Sequence, residues 1–169
     1  MEFTELILKR YSVRSYKSDP VEKDKLDQIL EAARMAPTAA NRQPFRLIVT
    51  RTDGRISEIK RVYDRDWFVQ APLIICACAY PEQGWVRYDG KSYVDVDVAI
   101  AMDHLILAAA NLGLGTCWIA SFNVDAARDV FGLSDELDPI ILSPLGYPND
   151  QPSPKVRRAI TDLVHYESW

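Results

Sequence analysis

The predicted helices and strands indicate an α+β fold or a three-layer α/β arrangement, in one domain over residues 1–169. Helical and strand patterns mix along the chain without the regular strand–helix–strand alternation of a parallel sheet. The apolar run Leu73–Ala79 has the length of a central strand that is covered on both faces. A chain of 169 residues buries roughly 70% of its unfolded surface, which is enough for such a core.

Five helices are predicted from apolar periodicity and from residues that begin or end a helix. In the second, apolar residues from Leu26 to Ala33 recur on one face, and Pro37 follows its end. The fourth is apolar on nearly every side, so it needs covering on more than one side, and another subunit is a candidate for the second cover. Gly113 stops this helix and Asn123 can cap the next one. The predicted helices span residues 3–9, 21–35, 54–63, 94–112 and 123–131.

Four strands are predicted between these helices, at residues 45–49, 73–79, 116–120 and 140–145. Residues 80–94 combine proline and glycine with aromatic side chains such as Trp85, Tyr88 and Tyr93, so we expect a loop or a short lid there. The C-terminal segment, residues 146–169, is rich in proline and polar residues but ends with apolar ones such as Leu163 and Trp169. Such a tail needs a docking surface, on its own subunit or on a neighbour.

Composition excludes several classes of protein. A net charge of −4 and an isoelectric point of about 5.2 provide no general basic field for nucleic acid. The acidic N-terminus predicts no signal peptide, and the lack of ~20 uncharged apolar residues in a row predicts no membrane span. Three widely spaced cysteines argue against a disulfide framework and fit a cytoplasmic location. The two histidines, His104 and His165, are far apart, so no metal site is predicted.

The connector between the second helix and the first strand, APTAANRQPF, is more elaborate than a turn requires. Pro37 and Pro44 stiffen it. Thr38, Asn41 and Gln43 then carry hydrogen-bonding groups on a rigid frame, as a site for a polar planar ligand needs. The alternative is a helix-to-strand turn in which these polar side chains cap the backbone.

Two basic clusters lie near opposite ends of this acidic chain. Arg10, Ser12 and Arg14 share one edge if the backbone is extended, and two guanidinium groups with a hydroxyl match the oxygens of a phosphate monoester. Lys155 and Arg157 share a face in the same way, so both clusters could meet on one phosphate. The alternative for each cluster is ordinary solvated charge.

Three other patterns favour structural interpretations. In NLGLGT, residues 111–116, the glycines follow a helix and open a strand, which is the reverse of a dinucleotide-binding loop. Asp95 and Asp97 suit the positive end of the helix that they begin. Cys76 and Cys78 lie in an apolar strand, where they act as small buried hydrophobic residues.

Together these segments resemble the nitroreductase-like family of flavoenzymes almost end to end. RYSVRSY, residues 10–16, looks like that family's R-x-S-x-R-x-[FY] opening, and APTAANRQPF, residues 36–45, looks like its A-P-S-x-x-N-x-Q-P-[WF] loop. The alanine-rich helix running into LGLGTCWI, residues 112–119, looks like its central interface helix and following strand. LGYP and KVRR, at residues 145–148 and 155–158, look like its closing segments.

The resemblance implies a three-layer α/β/α sandwich with a mixed, mainly antiparallel sheet, in an intertwined homodimer with FMN at the subunit interface. The basic clusters would hold the FMN phosphate, the proline-rich loop would reach the partner's isoalloxazine and ribityl groups, and residues 119–121 would lie against the ring with a backbone N–H near flavin N5. The FMN-binding residues implied are Arg10, Tyr11, Ser12, Arg14, Pro37, Thr38, Asn41, Gln43, Ile119, Ala120, Ser121, Lys155 and Arg157.

The activity implied is electron transfer from NADH or NADPH through flavin N5 to a planar acceptor, a nitroaromatic or quinone, in a two-step ping-pong cycle without a catalytic side chain. Alternatives on this scaffold are reductive dehalogenation, flavin cleavage, or flavin binding without turnover. Thr38 and Phe45 replace the family's usual serine and tryptophan and preserve the chemistry. Ala120 and Ser121 stand where a glutamate–glycine pair is common, and residues 64–67 and 80–94 replace longer lids.

Overall fold

The computed structural model describes residues 2–169, which form six α-helices and four β-strands. The helices are α1 (Phe3–Lys9), α2 (Lys23–Arg34), α3 (Ile56–Val62), α4 (Asp66–Gln70), α5 (Val94–Asn111) and α6 (Val124–Phe131). The strands are β1 (Phe45–Arg51), β2 (Leu73–Ala79), β3 (Gly115–Thr116) and β4 (Asp138–Gly146). None of the helices within residues 2–169 is long and apolar enough to cross a membrane.

The four strands form one sheet in the order β1-β2-β4-β3, and neighbouring strands are antiparallel. A single bridge between Ser12 and Thr116 adds a parallel contact beside β3. The expected mixed, mainly antiparallel sheet is therefore confirmed. Because β1 and β3 are the two edges, three strand spacings, about 14 Å, separate them across the sheet.

Helices cover both faces of the sheet. On one face, α2 and α5 pack against side chains such as Ile75, Ala77 and Leu145. On the other face, α3, α4 and α6 pack against alternate residues of the same strands, including Ile74 and Leu142. Every residue of β2 is buried, as expected for a strand covered twice. The predicted three-layer α/β/α sandwich is thus confirmed.

The local structure differs from the prediction in two places. The sequence did not predict α4, which begins at Asp66 and whose Phe68 is fully buried and stacks edge-on to Tyr63 at 5.2 Å between ring centroids; that residues 64–67 replace a longer lid stays a prediction. Five residues are too few to show a helical period. The third strand ends at Thr116, and Ile119 contributes only one further bridge, to Leu142.

Two irregular segments stand out. Residues 84–93 make a short hairpin with a bridge between Val86 and Ser92, and Tyr88 at its tip is 99% exposed. Its role as a lid stays a prediction. Every residue of the tail from 151 to 169 is exposed, including apolar ones up to Trp169. The tail therefore buries none of its apolar side chains against its own subunit, which favours the neighbour as its docking surface.

Candidate functional site

The N-terminal basic cluster is held in an extended conformation between β3 and the segment after β4. The N–H of Val13 donates to the carbonyl of Thr116 at 2.9 Å, and that of Asn149 donates to the carbonyl of Ser15 at 2.9 Å. Gly115 permits this close approach, since a Cβ there would lie 2.6 Å from Val13 Cγ2. The extended backbone places Arg10, Ser12 and Arg14 along one edge, as the spacing predicted.

The C-terminal cluster reaches the same place. Lys155 Nζ donates to the carbonyl of Ile7 at 2.6 Å, in the last turn of α1, directly before Arg10. Desolvation and the positive charges of Arg10 and Arg157 lower the pKa of Lys155. Such mutual influence requires the three cations to be close together. We call the five side chains of this region the basic clamp: Arg10, Ser12, Arg14, Lys155 and Arg157.

An acidic side chain that the sequence did not single out supports the clamp. Asp150 Oδ2 accepts a hydrogen bond from the backbone N–H of Arg14 at 2.8 Å, and Asp150 Oδ1 accepts one from the Tyr11 hydroxyl at 3.0 Å. Partial burial, together with this hydrogen bond, raises the pKa of Tyr11 to about 12. Tyr11 places its hydroxyl on Asp150, and its contact with the cofactor stays a prediction.

The cavity beside the clamp is small in the single chain. Its volume is 170 Å³, below the roughly 300–1,000 Å³ of typical small-molecule sites. A larger cavity of 760 Å³ lies elsewhere, between the start of α2 and the far end of β1, and it shares no lining residue with the clamp. Of the five clamp residues, Arg10 alone lines the small cavity.

Residues 119–121 divide into a buried anchor and an exposed pair. The N–H and carbonyl of Ile119 both bond to Leu142 at 2.9 Å, so this N–H is already used. Ala120 and Ser121 are exposed, and neither donates its N–H to another group within residues 2–169. The predicted backbone N–H near the ligand can therefore come from Ala120 or Ser121, but not from Ile119.

The proline-rich loop is rigid and strained. Ala40, Asn41 and Gln43 adopt positive φ angles of 50°, 54° and 52°, a conformation that costs a non-glycine residue roughly 1–3 kcal/mol. Thr38 Oγ1 accepts a hydrogen bond from the Gln43 N–H at 3.0 Å, and Gln43 Nε2 donates to Asn41 Oδ1 at 3.0 Å. Both interpretations of the loop hold in part, because polar side chains cap the backbone while Pro37, Asn41 and Gln43 remain exposed.

The loop and the clamp do not meet within one chain. The loop leads into β1, whereas the clamp adjoins β3 at the opposite edge of the sheet. Among residues 2–169, no hydrogen bond joins the two regions. The loop is tied to α5 instead, where Asp97 Oδ1 accepts a hydrogen bond from the Ala39 N–H at 2.8 Å. Asp97 lies in the first turn of α5, as its helix-end interpretation predicted, but it also holds the loop.

Apolar side chains are exposed along α5 and around it. Val96 in α5 is 43% exposed, and Trp118, which lines the same open groove, is 42% exposed. On the other side of His104, a second open groove includes Phe3 and Met35, each more than 60% exposed. We call this surface the α5 face. The α5 face is the part of this nearly all-apolar helix and its surroundings that a single chain leaves uncovered.

Comparison with known proteins decides the family. The sequence model of the nitroreductase family matches the chain in two overlapping segments, residues 7–65 and 56–147. The chain belongs to the nitroreductase family. The family and the oxidoreductase class predicted from the sequence are therefore confirmed.

Solved structures of this family share the fold of the chain. A nitroreductase family protein from Clostridium difficile 630 is 39% identical, with a TM-score of 0.91 and complete coverage of both chains. A second, from Clostridium novyi NT, is 36% identical, with a TM-score of 0.81, and the match covers 89% of this chain and 87% of that one.

A relative whose activity is named is the FMN reductase [NAD(P)H] of Bacillus subtilis strain 168. It is 28% identical over 175 residues, which are 94% of this chain and 70% of the relative.

Proposed function

We propose that this nitroreductase-family protein is an FMN-dependent oxidoreductase that passes electrons from NADH or NADPH to a planar acceptor such as a nitroaromatic or a quinone. The observation that carries the proposal is the contact between the two basic clusters of an acidic chain, in which Lys155 Nζ donates to the carbonyl of Ile7 at 2.6 Å, in the helix that leads into Arg10. The similarity to an FMN reductase [NAD(P)H] supports the cofactor and the electron donor.

The clamp fits the phosphate of FMN. A phosphate monoester carries a charge of about −1.5 to −2 at neutral pH. Four cationic side chains and the Ser12 hydroxyl offer charge and donors for its oxygens, and a group of like-charged side chains held together attracts an anion. The Asp150 carboxylate accepts hydrogen bonds from the Tyr11 hydroxyl and from the backbone N–H of Arg14, so it stabilises the conformation of the clamp.

The protein's part in the reaction is to bind and orient. FMN, when bound, supplies the hydride-accepting and hydride-donating chemistry. The exposed N–H groups of Ala120 and Ser121 are donors suited to orienting a flavin ring and to stabilising charge that develops on it. Hydride transfer to and from FMN needs no side chain as an acid or base, so the proposal gives that role to no residue.

The site is completed by a second copy of the chain. The 170 Å³ cavity is too small for the cofactor, and the loop that should contact the ring lies on the opposite edge of its own sheet. The α5 face and the apolar tail both expose large hydrophobic side chains, which favours a homodimer that buries them. In that dimer, Pro37, Thr38 and Asn41 serve the neighbour's FMN, with Gln43 bracing their loop.

Titration and reduction test the cofactor. We expect the purified protein to bind FMN with the visible spectrum of a bound flavin, and NADH or NADPH to bleach that spectrum under anaerobic conditions. A panel of nitroaromatics and quinones should restore the colour. Absence of FMN binding would overturn the proposal. Binding without reduction by either nicotinamide would leave a flavin-binding protein and refute the oxidoreductase.

Mixing two inactive variants tests the shared site. Arg14→Ala damages the clamp and Asn41→Ala damages the loop, so each homodimer should bind FMN weakly. A mixed dimer pairs one intact clamp with one intact loop, so random exchange of subunits should restore about a quarter of the wild-type sites. If each loop served its own chain, mixing would restore none.

A further inference from the structure

We infer that Asp97 is a positioning residue of the cofactor site, which holds the proline-rich loop in the conformation that meets FMN. The inference rests on the proposed function, because it concerns the loop that would contact the flavin. Asp97 itself touches the loop backbone and no part of the clamp. Its role is therefore to shape the binding surface.

The loop needs an external support because its own geometry is unfavourable. The turn Ala39–Asn41 contains two successive residues with positive φ, and Gln43 adds a third. The hydrogen bonds among Thr38, Asn41 and Gln43 are internal to the loop, so they shape it without fixing it to the rest of the protein. Strained non-glycine residues persist only where the surroundings hold them.

At its strand end the loop is tied by the Tyr80 N–H, which donates to the carbonyl of Pro44 at 2.8 Å. Two further ties connect the strained part of the loop to other elements, and they differ in strength. Arg42 Nη1 donates to the carbonyl of Gly84 at 2.8 Å, through a long side chain that is itself exposed. Asp97 Oδ1 accepts from the Ala39 N–H at 2.8 Å, and the Asp97 side chain is only 2% exposed. A charged acceptor shielded from water makes the stronger hydrogen bond.

The hydrogen bonding of Asp97 is directed at the loop. Among residues 2–169, Asp97 Oδ2 is buried and has no hydrogen-bond partner, so the one side-chain hydrogen bond of Asp97 is the one to Ala39. A buried unpaired polar atom is unfavourable for folding. A buried carboxylate whose one hydrogen bond goes to a strained, exposed loop is the pattern of a functional site.

The experiment compares Asp97→Ala, Asp97→Asn and Thr52→Val in FMN titrations of the full-length protein, with urea unfolding of each apo form. Asparagine keeps an acceptor oxygen in the same shape, whereas alanine removes it. Thr52→Val is the matched control, because Thr52 Oγ1 also makes a buried hydrogen bond, to Ala71, about 20 Å away at the far end of β1.

We expect Asp97→Ala to raise the Kd for FMN by about 10- to 100-fold, the effect of losing one charge-assisted hydrogen bond. Asp97→Asn should stay within about threefold of wild type, because the Ala39 N–H keeps its acceptor. Thr52→Val should lower the urea midpoint and leave the Kd unchanged. Retention of FMN affinity in Asp97→Asn, together with the unchanged Kd of Thr52→Val, would separate a positioning role of Asp97 from a general effect on stability.

Three results would decide against the inference. An unchanged Kd in Asp97→Ala would overturn it, and so would a loss of affinity in Thr52→Val as large as that in Asp97→Ala. If Asp97→Ala does not fold, a loss of tenfold or more in Asp97→Asn would overturn it, since the acceptor would then not be what matters. Wild-type protein that binds no FMN would instead refute the proposed function.

Discussion

The basic clamp and the proline-rich loop are the two halves of the proposed site, and one chain completes only the first. The clamp is assembled by hydrogen bonds from residues 7–17 to β3, to Asn149 and Asp150, and to Lys155. The loop is equally rigid, but it faces away from the clamp, on the other edge of the sheet. In the proposed homodimer, this strained loop with exposed polar side chains would have its target on the neighbouring chain.

The largest effect expected concerns the clamp. Arg14→Ala removes a guanidinium that faces the phosphate, so we expect the Kd for FMN to rise by about 100-fold. Urea unfolding should change little, because the Arg14 side chain is exposed. Arg61→Ala is the control, since it removes the same charge from α3, outside the clamp. If the two substitutions weakened FMN binding equally, Arg14 would act only as ordinary surface charge and not as part of a phosphate site.

The second effect concerns the association of two subunits, which the loop needs in order to reach a clamp. Trp169→Ala removes a fully exposed aromatic side chain from the tail, and we expect the dimer Kd to rise by about 30-fold, as for an aromatic interface residue. Sedimentation velocity would measure this. Tyr88→Ala removes an equally exposed aromatic from the hairpin and should leave the dimer intact. A monomeric variant that still held FMN tightly would show that one chain suffices.

The third effect tests how the clamp is braced. Asp150→Ala removes the acceptor shared by the Arg14 N–H and the Tyr11 hydroxyl, so we expect FMN affinity to fall by about tenfold as the extended segment loosens. Removing a negative charge near a phosphate would by itself strengthen binding. Asp129→Ala, which removes an equal charge from α6 outside the clamp, controls for the change in the net charge of the protein. Tighter binding in Asp150→Ala would contradict the bracing role.

The smallest effect is on stability in acid, outside both halves of the site. Hydrogen bonds from Tyr147 and Lys25 lower the pKa of Glu22 to about 2 in the folded protein, from its ordinary value of 4.5. Because the folded pKa is depressed, this stabilisation is present above about pH 4.5 and is lost as the pH falls through about 2. The Tm difference between wild type and Glu22→Gln should therefore shrink over that range. A difference that is constant with pH would contradict the assignment.

Much of the fold could be predicted because its signals are local. The bounds of α1 and β2 were predicted at Phe3–Lys9 and Leu73–Ala79, and α5 began at Val94 as expected. Asn123 caps α6 with its side chain, accepting from the Ala126 N–H at 3.0 Å. Gly113 follows α5 with a φ of 77°, which glycine adopts readily. By contrast, α4 escaped prediction because it is too short to show a period and is defined by the burial of Phe68.

The sequence by itself determined most of the secondary structure and the family, because these follow from short-range patterns and from motifs in a fixed order. Only the tertiary structure decided which distant residues meet. Asp150 is 136 residues from Arg14 and Asp97 is 58 residues from Ala39, and no spacing rule connects such positions. The packing of the sheet and its helices sets these contacts, and the same packing brings the clamp together while it holds the loop apart from it.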